Sequence, residues 1–326
     1  MNIDQFKAMF SSEAACREYL ESIIWRNGRR CPHCQDDKSY PIKGARSRSG
    51  LYECHGCKKQ FTVTTHTPMH STKLPLWKWL LAIYYIIYSS KGISSIVMSR
   101  WIGVSQKTAW KIGHAIREMM KPGQEGDPLL KDIVELDDKY VGGKPRYQEN
   151  EVNKRGRGTG KQCVLIAAQR QGHVKSALLS GPKIADISPL MKAFINKEAH
   201  LMSDNLHAFK HIGKDYAAHD SVCHSSKEYV MGNAHSNTAE SFGAIIERAR
   251  QGVFHYMSKA HLSRYLNEIG FRWNHRIPKE IKKCGKRKIR MVPMPLMDML
   301  SSLLSKAVGT QTRRSSCGGI TCIPAS

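Results

Sequence analysis

Three acidic side chains stand where carboxylates can share a divalent cation. The apolar run Leu201-Met-Ser ends on Asp204, and the β-type run Ile133-Val-Glu-Leu ends on Asp137. Beyond Asp204, after 35 intervening residues, Glu240 lies near the start of an apparent helix running from Thr238 to Arg250. Hard cations take carboxylate oxygens, and a pair of them can steady both the attacking and the leaving oxygen of a phosphodiester. Most Asp and Glu are solvated surface groups, so any one of these means little alone. Glu135 and Asp138 compete for the first position. Along a strand Glu135 shares a face with Asp137, while Asp138 points away.

A second set of residues has metal spacing of another kind. Cys31-Pro-His-Cys34 is followed after nineteen residues by Cys54-His-Gly-Cys57. Two C-x2-C turns that each aim two sulfurs at one point suit tetrahedral zinc, and four thiolates leave no open position, so this zinc is structural. Short strand-like runs at Ser39-Tyr-Pro-Ile, Leu51-Tyr-Glu and Gln60-Phe-Thr-Val make the segment a zinc ribbon. The remaining cysteines show no paired spacing and read as ordinary thiols.

The charge balance narrows the partners. Lys plus Arg number 51 against 27 Asp plus Glu, a formal charge of +24 on 326 residues. So basic a chain repels itself unless it meets a polyanion, and the usual polyanion is nucleic acid. Met1-Asn-Ile-Asp-Gln-Phe lacks the basic start and apolar core of an export signal. The most apolar window, Leu74 to Tyr88, contains Lys78 and is shorter than the ~20 residues that span a bilayer. No membrane is expected, and the location expected is cytoplasmic, on the bacterial nucleoid.

The elements that would position these residues follow in order. Residues 1–28 are an amphipathic helical lead-in and 29–66 the ribbon. Residues 72–121 hold an apolar helix and two further helices, Ile93 to Trp101 and Ser105 to Met120, joined by Ile102-Gly-Val. That short glycine turn fits a helix-turn-helix. Ser105 is placed to cap the second helix, and Gln106, Lys107 and Lys111 to read base edges or phosphates. Three-helix units that never touch DNA look similar, and the basic charge favours the DNA reading. Past the Pro122–Pro128 linker, residues 129–277 read as three strands, helix, strand, helix, strand, helix. That is the order of a ribonuclease H-like mixed sheet flanked by helices, in which the first and fourth strands are neighbours, so Asp137 and Asp204 could share a metal. The basic glycine-rich loop between the first two strands, with Arg155 and Arg157, lacks a P-loop pattern and is expected to touch DNA backbone. Residues 278–326 are expected to be a basic tail, either solvated or tracking DNA, with a short helix and a disordered end after 308. The fold class is thus multidomain α/β.

In combination, four stretches resemble the bacterial insertion-sequence transposases with an N-terminal zinc ribbon, a helix-turn-helix and a DDE-type ribonuclease H-like domain. They are the two cysteine pairs, Glu135-Leu-Asp-Asp-Lys-Tyr-Val-Gly-Gly-Lys144, Met202-Ser-Asp-Asn205, and His235-Ser-Asn-Thr-Ala-Glu240 continuing to Arg276. The resemblance implies that Asp137 and Asp204 hold two Mg2+ or Mn2+ ions. Glu240 is the third ligand by preference for a carboxylate, with Asn237 second; Asn237 is alternatively a helix cap. It implies strand transfer at terminal inverted repeats, double-stranded target DNA as partner, and a homo-oligomer holding two element ends. A lysine or arginine is usual seven residues after the glutamate; here Glu247 stands there, with Arg248 and Arg250 beside it and Arg248 as the substitute phosphate contact. The rival functions are a catalytically inert DNA-binding regulator and a ribonuclease H-like nuclease.

Overall fold

The computed structural model describes residues 1–44, 48–122, 127–143, 160–204, 206–222, 236–283, 286–314 and 320–322. In chain order the first half contains α1 (Ile3–Met9), α2 (Glu13–Ile24), β1 (Ser39–Pro41), β2 (Tyr52–Cys54), β3 (Gln60–Phe61), α3 (Leu76–Tyr88), α4 (Ser95–Ile102) and α5 (Gln106–Met119). The middle holds β4 (Ile133–Val141), β5 (Gln162–Gln169), β6 (Val174–Leu179), α6 (Ile184–Phe194), β7 (His200–Asp204), α7 (His207–Gly213), β8 (Ala218–Val222), α8 (Asn237–Ala249) and α9 (Leu262–Asn274). The chain closes with β9 (Arg276–Lys283), β10 (Lys286–Pro293), α10 (Leu296–Ser305), β11 (Thr312–Arg314) and β12 (Ile320–Cys322). Two compact units result, one from residues 1–120 with 277–326 and one from 121–276. No helix among the described residues is long and apolar enough to cross a membrane.

In the first unit the apolar α3 is the hub. Its residues Leu80, Ala82, Ile83 and Ile86 are fully buried. Phe6 of α1 meets Tyr84 with tilted rings at 4.7 Å, and the Leu76 amide donates to both carboxylate oxygens of Glu13 in α2 at 3.0 and 3.1 Å. An acceptor beside the first turn suits the helix dipole and fills in for α3's missing side-chain cap. Helix α10 packs against α2 and α3. Residues 277–326 therefore contain more than the expected tail. Strands β9 and β10 of the basic run pair with each other, and within the segment expected to be disordered the described residues 312–314 and 320–322 pair as the β11–β12 ladder. Between α4 and α5, Gly103 sits at φ 62°, in the left-handed region where a Cβ is strained. The Lys78 ammonium donates to the Gly103 carbonyl at 2.8 Å, closing the end of α4.

The second unit is built on a five-stranded sheet of order β6-β5-β4-β7-β8. β4, β5 and β6 pair antiparallel, and β7 and β8 join β4 in parallel. This is the order and direction of a ribonuclease H-like sheet. Alternation assigns its faces. Val134, Leu136 and Leu201 pack with Ile187 and Met191 of α6 and Phe209 and Ile212 of α7. Val164, Ile166 and Ala168 pack on the opposite face with Ala239, Phe242 and Ile246 of α8 and Leu266 and Ile269 of α9. Asn274, at the end of α9, accepts from the Val174 amide at 2.7 Å and donates to the Val174 carbonyl at 3.0 Å, so a side-chain amide pairs with the edge of β6 like backbone. Phe242 is fully buried and meets Trp273 edge to face at 5.5 Å. Phe242→Ala should destabilise this unit by about 3–5 kcal/mol, read as faster amide hydrogen exchange in β4 and β5 with unaltered exchange in α3.

Candidate active site

The four cysteines meet. Their sulfurs all lie within 4.8 Å of one another, with Cys31–Cys57 at 3.7 Å and Cys34–Cys54 at 3.4 Å. Zinc with bonds of ~2.3 Å needs tetrahedral sulfur edges of about 3.8 Å, so the donor set fits structural zinc. The ribbon sheet β1-β2-β3 carries Cys54 on its central strand, and Trp25 from the end of α2 closes over Tyr52 and Phe61. Burial pushes the Cys31 thiol up to about 12, whereas the Lys59 amide beside Cys57 brings that thiol down to about 7. Cys31 would therefore release its proton to solvent as its thiolate binds the metal. Among the described residues this is the one group of three or more such ligands that converges so tightly.

The acidic residues are arranged more openly. β4 and β7 run in register to Leu136↔Ser203, which makes Asp137 and Asp204 neighbours one step further on. Asp137 pairs with Ile166 across β5, so it lies on the α8–α9 face. Asp204 is on that face too, by alternation from Leu201 on the other. Glu240 is exposed in the first turn of α8, which packs there. Its Oε1 accepts from Ser236 Oγ at 3.1 Å. All three carboxylates thus occupy one side of the sheet, although they are not drawn within the 4.8 Å that marks the cysteines. Like charges repel, and a two-ion site, with ions roughly 3.5–4 Å apart, does not require every carboxylate to reach one point. Asp138 alternates to the other face, beside Leu165. Asn237 is exposed as the first residue of α8, and Ser236, not Asn237, holds the cap position.

Burial raises the Asp137 carboxyl from the usual 3.8 to about 6, helped by the neighbouring charge of Asp138 and by Glu240, and opposed by Lys139. Lys139 shares the Asp137 face, and its chain crosses α8 at Gly243, where an added Cβ would stand 3.0 Å from Lys139 Cδ. Glu135 is fully buried; its Oε1 accepts from Arg170 Nε at 2.7 Å and its Oε2 from the Thr238 and Ala239 amides. Strand alternation places Lys139 beside Asp137, and the sequence reading passed it over. Arg170 carries no sequence signal, because its partner lies 35 residues away.

The expected DNA contacts divide. Ser105 caps α5 through the Thr108 amide at 3.3 Å, and Gln106 donates to Ser95 Oγ at 2.9 Å, so both shape the turn between α4 and α5. Lys107 and Lys111 are exposed on α5, as is Arg248 on α8. Arg155 and Arg157 lie outside the described residues. Glu247 is met by Arg250, which donates through Nε at 2.9 Å and Nη2 at 2.8 Å, so Arg250 and not Arg248 offsets that charge.

A zinc ribbon preceding a ribonuclease H-like domain with acids on one face defines a class of nucleic-acid-processing protein. Two family models separate this chain from others of that class. An ISXO2-like transposase domain matches residues 129–274, and a transposase zinc-ribbon domain matches residues 11–60. Together they span more than half of the chain, which belongs to the insertion-sequence transposases with an N-terminal zinc ribbon. The chain is also similar to an uncharacterized protein in transposable element ISH50 of Halobacterium salinarum, 29% identical over 283 residues, covering 81% of this chain and 91% of the relative.

Two outcomes follow from the site. Cys54→Ser, at a fully buried sulfur, should lose bound zinc and the ribbon's slow-exchanging amides, read by metal analysis and hydrogen exchange. Because the folded Asp137 value lies above the ordinary one, the stability contributed by its protonated form is fully present below about pH 4 and is lost as pH rises through about 6. Asp137→Asn should therefore be more stable than the parent above about pH 6 in metal-free buffer, by about 1–2 kcal/mol after screening. The difference should vanish below about pH 4, as thermal midpoints across pH will show.

Proposed function

We propose that the protein is the transposase of its own insertion sequence, hydrolysing one phosphodiester at each element end and joining the exposed 3′-hydroxyl to target DNA. In the first step water adds to the phosphorus and the bridging oxygen departs as the 3′-hydroxyl. In the second that hydroxyl attacks a target phosphodiester in line and displaces another 3′-oxygen, so the bond count is conserved and no covalent protein intermediate forms. What carries this reading is the register that sets Asp137 beside Asp204 on the face covered by the helix bearing Glu240.

Two magnesium or manganese ions held by Asp137, Asp204 and Glu240 would supply charge to the attacking and leaving oxygens. The chain's own residues do the remaining work. Partial burial of Asp137 in the sheet strengthens its interaction with a bound cation relative to open water. Asn237, exposed at the mouth of α8, is within one turn of Glu240 and can complete a metal's shell through its amide oxygen. Lys107 and Lys111 of α5, with Arg248 of α8, bind phosphates of the terminal inverted repeats and target. Arg155 and Arg157 add backbone contacts in the same reading. Holding two element ends requires a homo-oligomer on DNA, acting in the cytoplasm on nucleoid DNA.

The segments assigned from sequence serve this division of labour: ribbon (29–66) and helix-turn-helix (72–121) recognise ends, and residues 129–277 cut and join. Asp204→Asn should reduce Mg2+-dependent strand transfer to background while leaving binding of a terminal-repeat duplex unchanged. Equal product from variant and parent would remove the assigned chemistry and leave a DNA-binding regulator. Cleavage by the parent without end joining would favour a nuclease.

A further inference from the structure

We infer that Glu135, held by Arg170, is a positioning residue that fixes where Glu240 stands relative to Asp137; the inference rests on the metal-dependent reading above. A fully buried carboxylate is costly unless donors surround it. Glu135 accepts from the Arg170 guanidinium at 2.7 Å on one oxygen, and from the Thr238 and Ala239 amides at 2.5 and 3.1 Å on the other. The amides belong to the first turn of α8, whose own cap residue supplies no side-chain acceptor. A strand residue more than a hundred positions earlier therefore performs the capping.

The placement matters more than the bond count. Glu135 sits two residues before Asp137 on the same face of β4, the central strand of the sheet. Thr238 and Ala239 come directly before Glu240. The clamp thus ties the two acid-bearing elements at the point where both carry their carboxylates. Arg170 is itself anchored, since its amide donates to the Ile133 carbonyl at 3.0 Å at the start of the same strand. Asp137 and Glu240 repel at the very start of α8, ahead of its buried anchors Phe242 and Ile246, so the apolar packing alone leaves the position of that end along the strand unfixed. Glu135 fixes that position before any cation arrives.

The test is a Mn2+ titration of the full-length protein, with bound ion read by electron paramagnetic resonance, which needs no activity. Glu135→Gln turns a donor towards Arg170 and should weaken Mn2+ binding by about 10–100-fold, the usual range for groups that orient ligands, with zinc content and DNA affinity unchanged. Glu135→Gln/Arg170→Gln restores a donor–acceptor match and should recover most of the affinity, which a merely structural loss would not. Parental Mn2+ affinity in folded Glu135→Gln overturns the proposal. If that variant does not fold, Arg170→Gln decides: several-fold weaker binding is expected, and parental affinity overturns it. Asp137→Asn run alongside separates the two readings. If it binds Mn2+ as the parent does, or the parent binds none, the metal-dependent reading fails; if only Glu135→Gln matches the parent, the positioning role alone fails.

Discussion

Charges of one sign must be kept together against their own repulsion, and this sets terms for the whole second unit. Asp137, Asp204 and Glu240 come from two strands and a helix, and each element is held by contacts that do not involve the acids. β4 lies between β5 and β7 with continuous ladders on both sides. α8 is held by Phe242 and Ile246 beneath it and by the Glu135 carboxylate at its start. Hydrophobic burial sets the distance of helix from sheet, being non-directional, while the directional hydrogen bonds to Glu135 fix where along the strand the helix begins. The raised Asp137 carboxyl comes first from burial and then from the nearby charges of Asp138 and Glu240.

The ribbon solves the opposite problem. Four sulfurs converge with no apolar core of any size behind them, apart from Trp25, Tyr52 and Phe61. A small sheet of that kind depends on its metal for stability. Arg29, lying 3.9 Å over the Tyr52 ring, extends the aromatic cluster and keeps a positive charge beside it.

How much of this was legible in sequence depends on how local each signal is. The C-x2-C pairs carry their geometry within four residues, so the ribbon could be read directly. The short apolar, β-type runs leading to Asp137 and Asp204 could be read as strands, and the order of elements implied that β4 and β7 are neighbours, although β4 continues past Asp137 to Val141. Two features could not be read this way. The Glu135–Arg170–α8 clamp joins residues far apart in the chain, none of which is unusual on its own. The basic run at 276–293 pairs as β9–β10, although Lys and Arg are weak strand formers and the pattern resembled a solvated tail. The Glu247–Arg250 pair, by contrast, is local, because residues three apart share a helix face.

The return of α10 to α2 and α3 has a consequence for how the molecule is made. The second unit is an insertion within the first, so the helix that covers part of α3 leaves the ribosome only after the entire sheet domain has been synthesised. Until then Leu80, Ile83 and their neighbours lack one of their covering surfaces. A nascent chain stalled or cleaved near Arg276 would carry a complete five-stranded sheet and an incomplete first unit. Completion of translation is thereby coupled to maturation of the unit that holds the ribbon and α3.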